Sequence, residues 1–177
     1  MLTARLMGFI RSMDGKKTMR NQYDFYPTPH WCYEKLPVNF SYYKTALEPC
    51  AGDGRIVTFL KKQGIDNVNE CEIQDGVDFF NYGKKVDLIF TNPPYSIAQE
   101  FIKHSLELAD TVIMLLRINF LGAQKRYEFF SNNEPDALYV LSKRPSFTGK
   151  GTDSTEYAWF VWQKGEKYIN PGIYHIF

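Results

Sequence analysis

From Tyr23 onward the apolar positions fall into two kinds of run. "TALEP", "KVDLIFTN" and "TVIMLLR" are short, and the last two are apolar almost without a break, which predicts strands buried on both faces. "RIVTFLKKQG" instead spaces Ile56, Phe59 and Leu60 along one stripe of a helix, with Gly64 as its stop. "SIAQEFIKHSLELAD" does the same with Ile97, Phe101, Ile102 and Leu106, and "QKRYEFFSN" predicts a further helix. A short helical stretch is expected near Trp31 to Leu36, a strand at "NVNECEI", and a strand end and turn at "DGVDFFNYG". "ALYVLSKR" and "EYAWFVWQ" read as strands with only the polar loop "PSFTGKGTDST" between them, so an antiparallel hairpin at the sheet edge is expected. Strands alternating with helices predict the α/β class: a mostly parallel sheet covered by helices on both faces.

The length, 177 residues, suits one domain with one sizeable core. Residues 1–22 read as a basic arm, in which Arg5, Arg11, Lys16, Lys17 and Arg20 face only Asp14. Such an arm is either a solvated tail or a set of phosphate contacts. Residues 23–177 read as a single domain. The formal net charge of +1 gives no global basic field, so any nucleic-acid contact must come from local patches. The aromatic share of 16% serves a core and equally serves base stacking. No apolar run reaches the roughly 20 residues of a membrane span. No secretory signal is evident, and a cytoplasmic location is expected. Cys32, Cys50 and Cys71 form no paired motif, and His30, His104 and His175 stand apart, so no metal site is expected.

Ligands of open α/β sheets sit at the carboxyl ends of the strands, and the first such end here is "LEPCAGDG". Gly52 and Gly54 allow a sharp turn and a close backbone approach. Glu48, at the strand tip, is expected to accept a hydrogen bond from a ligand cation. The dinucleotide fingerprint fails at Val57, and no G-K-[ST] follows, which favours a nucleoside ligand without a pyrophosphate. Glu72, some twenty residues on, suits ribose hydroxyls. Asp78 and Phe79 offer a polar group and an aromatic cover for an adenine.

"LEPCAGDG" followed by "NPPY" resembles the S-adenosylmethionine-dependent amino-methyltransferases. Within them it is most similar to small phage and prophage DNA adenine-N6 methyltransferases. "DFYPTPHW" resembles their motif for the methionine end of the cofactor, and "KRPSFTGKGTDSTEYAWFVW" resembles their tail segment. The resemblance runs from about Tyr23 to Gln163. It implies a Rossmann-like class I methyltransferase fold of seven strands, ending in an antiparallel hairpin. It implies that Tyr26, Thr28 and Pro29 line the methionine end. Glu48, Pro49, Cys50, Ala51, Gly52 and Gly54 would wrap the cofactor's centre. Glu72 and Ile73 would take the ribose side, Asp78 and Phe79 the adenine, with Asn92 completing the cofactor set. The family usually adds a separate target-recognition domain after the catalytic motif, and only residues 96–177 follow Tyr95 here, so no dedicated reader is expected.

The resemblance makes Asn92, Pro93, Pro94 and Tyr95 the catalytic group. An exocyclic purine amine is a poor nucleophile, but a sulfonium methyl is already activated, so the protein has to orient the amine. The Asn92 side-chain oxygen and the Pro93 carbonyl are the acceptors for its N–H bonds, two prolines hold the backbone rigid, and Tyr95 stacks on a flipped base. The expected partner is DNA and no membrane, with a homodimer as an allowed assembly. Lys16, Lys17, Arg20, Lys125, Arg126, Lys143, Arg144 and Lys150 are the candidate nucleic-acid contacts, and the loop Ser146 to Thr155 is expected to touch the nucleic acid. "NPPY" fits RNA purines and a protein glutamine equally well, and a catalytically silent nucleic-acid-binding subunit is the alternative from another class.

Overall fold

The computed structural model describes residues 26–176 except Thr148 and Lys150. The candidate contacts Lys16, Lys17, Arg20 and Lys150, and the basic arm as a whole, lie outside the described residues.

Seven strands form one sheet: β1 (Thr45–Glu48), β2 (Asn67–Glu70), β3 (Val86–Thr91), β4 (Ala109–Arg117), β5 (Ala137–Leu141), β6 (Tyr157–Gln163) and β7 (Gly172–Ile176). Their spatial order is β2-β1-β3-β4-β6-β5-β7. The pairs β1–β2, β1–β3, β3–β4 and β5–β7 are parallel, while β6 is antiparallel to both β4 and β5. Among the described residues three α-helices pack on the sheet: α1 (Arg55–Lys62), α2 (Ala98–Leu108) and α3 (Tyr127–Asn132).

The continuous apolar strands are explained by two cores, one on each face of the sheet. Ile113 and Leu115 of β4 and Trp159 and Val161 of β6 point into the first, where Ile56, Phe59 and Leu60 of α1 cover them. Their neighbours Val112, Met114, Phe160 and Trp162 point into the second, covered by Phe101 and Ile102 of α2 and Phe129 of α3. Alternate residues of a strand face opposite sides, so a strand buried on both must be apolar at every position. All seven residues of β6 are buried.

Three expectations are corrected. The segment "DGVDFFNYG" supplies no strand; Phe79–Asn81 is a turn of 3-10 helix capped by Asp78, whose side chain accepts the Phe80 N–H. The seventh strand is instead β7, "GIYHI". The β5–β6 hairpin is therefore not at the edge, because β7 pairs with the far side of β5. The connection 164–171 can be short because β6 runs antiparallel to β5 and β7, so it finishes at the end of the strands where β7 begins. The helix expected at Trp31 to Leu36 is only a 3-10 turn, His30–Cys32.

Candidate active site

Three segments far apart in sequence meet at the carboxyl ends of β1 and β3. The first is the loop after β1. Gly52 (φ 55°) and Gly54 (φ 74°) take left-handed backbone conformations that a side chain disfavours, and they turn the chain from strand into α1. Carboxylates hold this loop from below. Glu72 Oε2 accepts the Gly52 N–H at 2.8 Å and its Oε1 accepts the Gln74 N–H at 3.0 Å. Glu48 Oε1 accepts the Cys50 N–H at 2.9 Å and the Thr91 hydroxyl at 2.5 Å.

Glu48, at the strand tip, is fully buried. Burial pushes its carboxyl up to about 8, against the hydrogen bonds from Thr91 and Cys50. Its Oε2 has no hydrogen-bond partner among the described residues. An unpartnered buried acceptor costs free energy and asks for a donor or a cation.

The second segment is "NPPY". Thr91 is buried at the end of β3, Asn92 is half-buried, and Pro93 and Pro94 follow. The Asn92 Nδ2 donates to the Tyr26 carbonyl at 3.3 Å and to Thr28 Oγ1 at 3.0 Å, while its Oδ1 accepts the Tyr95 hydroxyl at 2.7 Å. The Tyr26 carbonyl can only accept, so the amide nitrogen must face it and the orientation of the side chain is determined. The third segment, residues 26–29, is tied to the other two, since Arg55 Nη1 also donates to the Thr28 carbonyl at 3.1 Å. Tyr26, Thr28, Glu48, Cys50, Thr91, Asn92 and Tyr95 thus share one neighbourhood. Pro29, Pro49 and Ala51 lie on the same two loops.

At the end of β2, a cleft is lined by Gly52, Asp53, Glu72, Gln74 and Asp75. Ile73 beside it is 50% exposed, an apolar surface next to the acid. Phe79 departs from its expected role. It is 3% exposed, with its ring 4.9 Å from that of Phe101 and 4.8 Å from that of His104. It fills the core because an aromatic ring gains more by burial than by facing water. The apolar surface available to a planar ligand at this edge belongs to Ile73 and to Val77, which is 47% exposed.

Tyr95 is not an open platform either. The Arg117 guanidinium carbon lies 5.1 Å from its ring centroid, and the Tyr157 ring lies 5.6 Å away. Arg117 Nε donates to the Tyr157 hydroxyl at 2.9 Å, and that hydroxyl donates to Asp153 Oδ2 at 2.7 Å. Phe147 links Tyr157 to Tyr26, at ring separations of 5.3 and 5.9 Å. Sequence reasoning singled out none of Arg117, Phe147, Asp153 and Tyr157, although Phe147 and Asp153 lie in the loop Ser146 to Thr155 expected to touch nucleic acid. A signal was present in the two aromatics flanking the polar loop "TGKGTDSTE", but nothing local says which way they face.

The remaining basic candidates are mostly engaged. Arg144 pairs with Glu156, Arg126 lies 4.0 Å over the Phe120 ring, and Lys143 lies 5.6 Å over Trp31. Lys125 is exposed. Among the described residues no group of three or more His, Cys, Asp or Glu side chains is placed to hold a metal, and no helix is long and apolar enough to cross a membrane.

No protein-family model matches the chain, and no curated protein does. Solved structures do. A candidate RNA methyltransferase of Pyrococcus horikoshii is 13% identical over 68% of this chain and 74% of its own, with a TM-score of 0.56. A candidate class I S-adenosylmethionine-dependent methyltransferase of Listeria monocytogenes is 12% identical over 83% of this chain, with a TM-score of 0.53. The present chain spans 61% of the length of the Listeria protein. At such identities the likeness is one of fold, and in that sense the chain adopts the Rossmann-like class I methyltransferase fold.

Proposed function

We propose that the chain is an S-adenosylmethionine-dependent methyltransferase whose substrate is the N6 amine of adenine in DNA, presented as a base taken out of its helix. The observation that carries the reading is Asn92: an amide of determined orientation at the carboxyl end of a central strand, with Oδ1 turned away from its two anchors. An acceptor there takes one N–H of a planar amine and steers the nitrogen lone pair away from the ring plane. The Pro93 carbonyl, on a backbone held by two prolines, is the second acceptor. In the present state the Tyr95 hydroxyl holds Asn92 Oδ1, so an arriving amine takes over that hydrogen bond.

The residues present fit the cofactor. Glu48 Oε2, beneath the glycine loop, has no hydrogen-bond partner among the described residues, and an ammonium group placed there would ionise the carboxyl and supply that partner. Glu72 and Ile73 combine an acid with an apolar surface beside the cleft, which suits a nucleoside. S-adenosylmethionine supplies the activated methyl group. The protein's own part is to hold the amine, exclude water and keep the two ligands aligned.

A second reading is methylation of an adenine amine in RNA, favoured by the description of the Pyrococcus neighbour. The test is nucleoside mass spectrometry of purified protein supplied with S-adenosylmethionine and either plasmid DNA, total RNA or a glutamine peptide. N6-methyladenine in DNA, lost in Asn92→Ala, is the expected result. Product in RNA alone establishes the second reading. Product in neither nucleic acid rejects both.

A further inference from the structure

We propose that Arg117 is a positioning residue for Tyr95, held at its angle by Tyr157 and Asp153. The inference rests on the methyl-transfer reading and adds a part to its site. Tyr95 is fixed at its tip by the hydrogen bond to Asn92 Oδ1. A hydroxyl lies on the long axis of its ring, so this bond sets where the tip is and leaves the ring free to turn about that axis. A base stacks on the face of a ring, so the plane matters as much as the tip.

Arg117 governs that plane. It is the last residue of β4, the neighbour of β3, and its guanidinium carbon lies 5.1 Å from the Tyr95 centroid and 5.9 Å from that of Tyr157. Its own plane is set by two bonds: Nε to the Tyr157 hydroxyl at 2.9 Å and Nη2 to Asp153 Oδ2 at 3.3 Å. The Tyr157 hydroxyl has one proton. It accepts from Arg117, so it must donate to Asp153, at 2.7 Å, which closes a ring of three hydrogen bonds. Burial works against the charge of Asp153, yet the Tyr157 hydrogen bond and the Arg117 charge hold its carboxyl below its ordinary value. A plain ion pair between these partly exposed groups contributes little to stability. The bland alternative is that the ring merely pins the loop 146–155. In that case any cation at position 117 serves.

The variants Asp153→Asn and Arg117→Lys separate the two. Lysine keeps the charge and loses the planar fork. Both variants are expected to lower kcat about tenfold while leaving the KM for S-adenosylmethionine and the melting temperature close to wild type. In NMR spectra of the full chain, the Arg117 Nε proton is expected to exchange slowly with solvent, as a donor held on the Tyr157 hydroxyl, and to lose that protection in Asp153→Asn. A wild type that methylates while both variants keep its kcat overturns this inference alone. So does an Arg117 Nε proton that exchanges as fast as that of a free arginine in the wild type. Lysine working as well as arginine also overturns it, because charge would then suffice. A wild type inactive on every substrate removes the methyl-transfer reading and this inference with it.

Discussion

The loops after β1 and β3 leave the same edge of the sheet and are built in opposite ways. The first turns on two left-handed glycines, and buried or half-buried carboxylates grip its backbone N–H groups. The second is stiffened by two prolines, and side-chain bonds from Asn92 and Tyr95 hold it. The difference follows from what each has to present. The glycine loop offers backbone surface at close range, which only a residue without a side chain allows. The proline loop offers one oxygen in one direction, which calls for a backbone that does not move. One carboxyl, Glu48, bridges the two, since it takes both the Cys50 N–H of the first loop and the Thr91 hydroxyl that precedes the second.

The largest expected effect is at the proline loop. Asn92→Ala should lower methyl transfer at least about 100-fold, the scale of losing one oriented polar group at a reacting centre. Its melting temperature should stay near wild type. A residual rate within threefold would remove Asn92 from the chemistry.

The bridge comes next. The Glu48 carboxyl is raised to about 8 from an ordinary value of 4.5, so the folded state holds its proton more tightly than the unfolded chain does. The stabilisation from that proton is complete below about 4.5 and is lost as pH rises through about 8. The slope is at most about 1.4 kcal/mol per pH unit. Calorimetry should show the wild type losing stability relative to Glu48→Gln between pH 5 and 8. Parallel curves would mean that Glu48 is ionised in the fold.

At the glycine loop, Gly54→Ala should cost about 1–2 kcal/mol in denaturant unfolding, the strain of a side chain at φ 74°. Nothing lies within 4 Å of the added Cβ, so the loss is one of backbone and not of collision. An unchanged midpoint would show that the loop relaxes to another turn. The smallest effect is Tyr95→Phe, which removes a hydrogen bond worth about 0.5–1.5 kcal/mol and keeps the ring. Substrate KM should change by less than about tenfold, whereas Tyr95→Ala, which loses the ring as well, should weaken base binding further. Equal behaviour of the two would mean that stacking is not used.

Much of this was legible in the chain. The apolar stripes of α1 and α2 and the unbroken runs of β3, β4 and β6 announced themselves, because burial on one face or two leaves a period in the sequence. The two loops were legible because glycine and proline act through their own backbone. β7 was not, since four of its five residues are exposed and "GIYHI" carries no alternation. Phe79 was assigned to a ligand because a sequence does not say whether an aromatic after a strand turns inward. The burial of Glu48 escaped for a similar reason: its position at the strand tip was evident, but Thr91 and Cys50 close over it.

The sequence by itself determined the two-faced sheet, the helices that cover it, and the chemical types offered at the ends of β1 and β3. Those properties rest on local preference and periodicity, which each segment carries alone. Tertiary structure decided the direction of Asn92 Oδ1, the pKa of Glu48, the seat of Phe79 and the Arg117–Tyr157–Asp153 ring. Each depends on atoms that are close in space and far apart in the chain. Arg117 and Asp153 are separated by 36 positions and Asn92 and Tyr26 by 66, distances over which only the closed fold sets an angle.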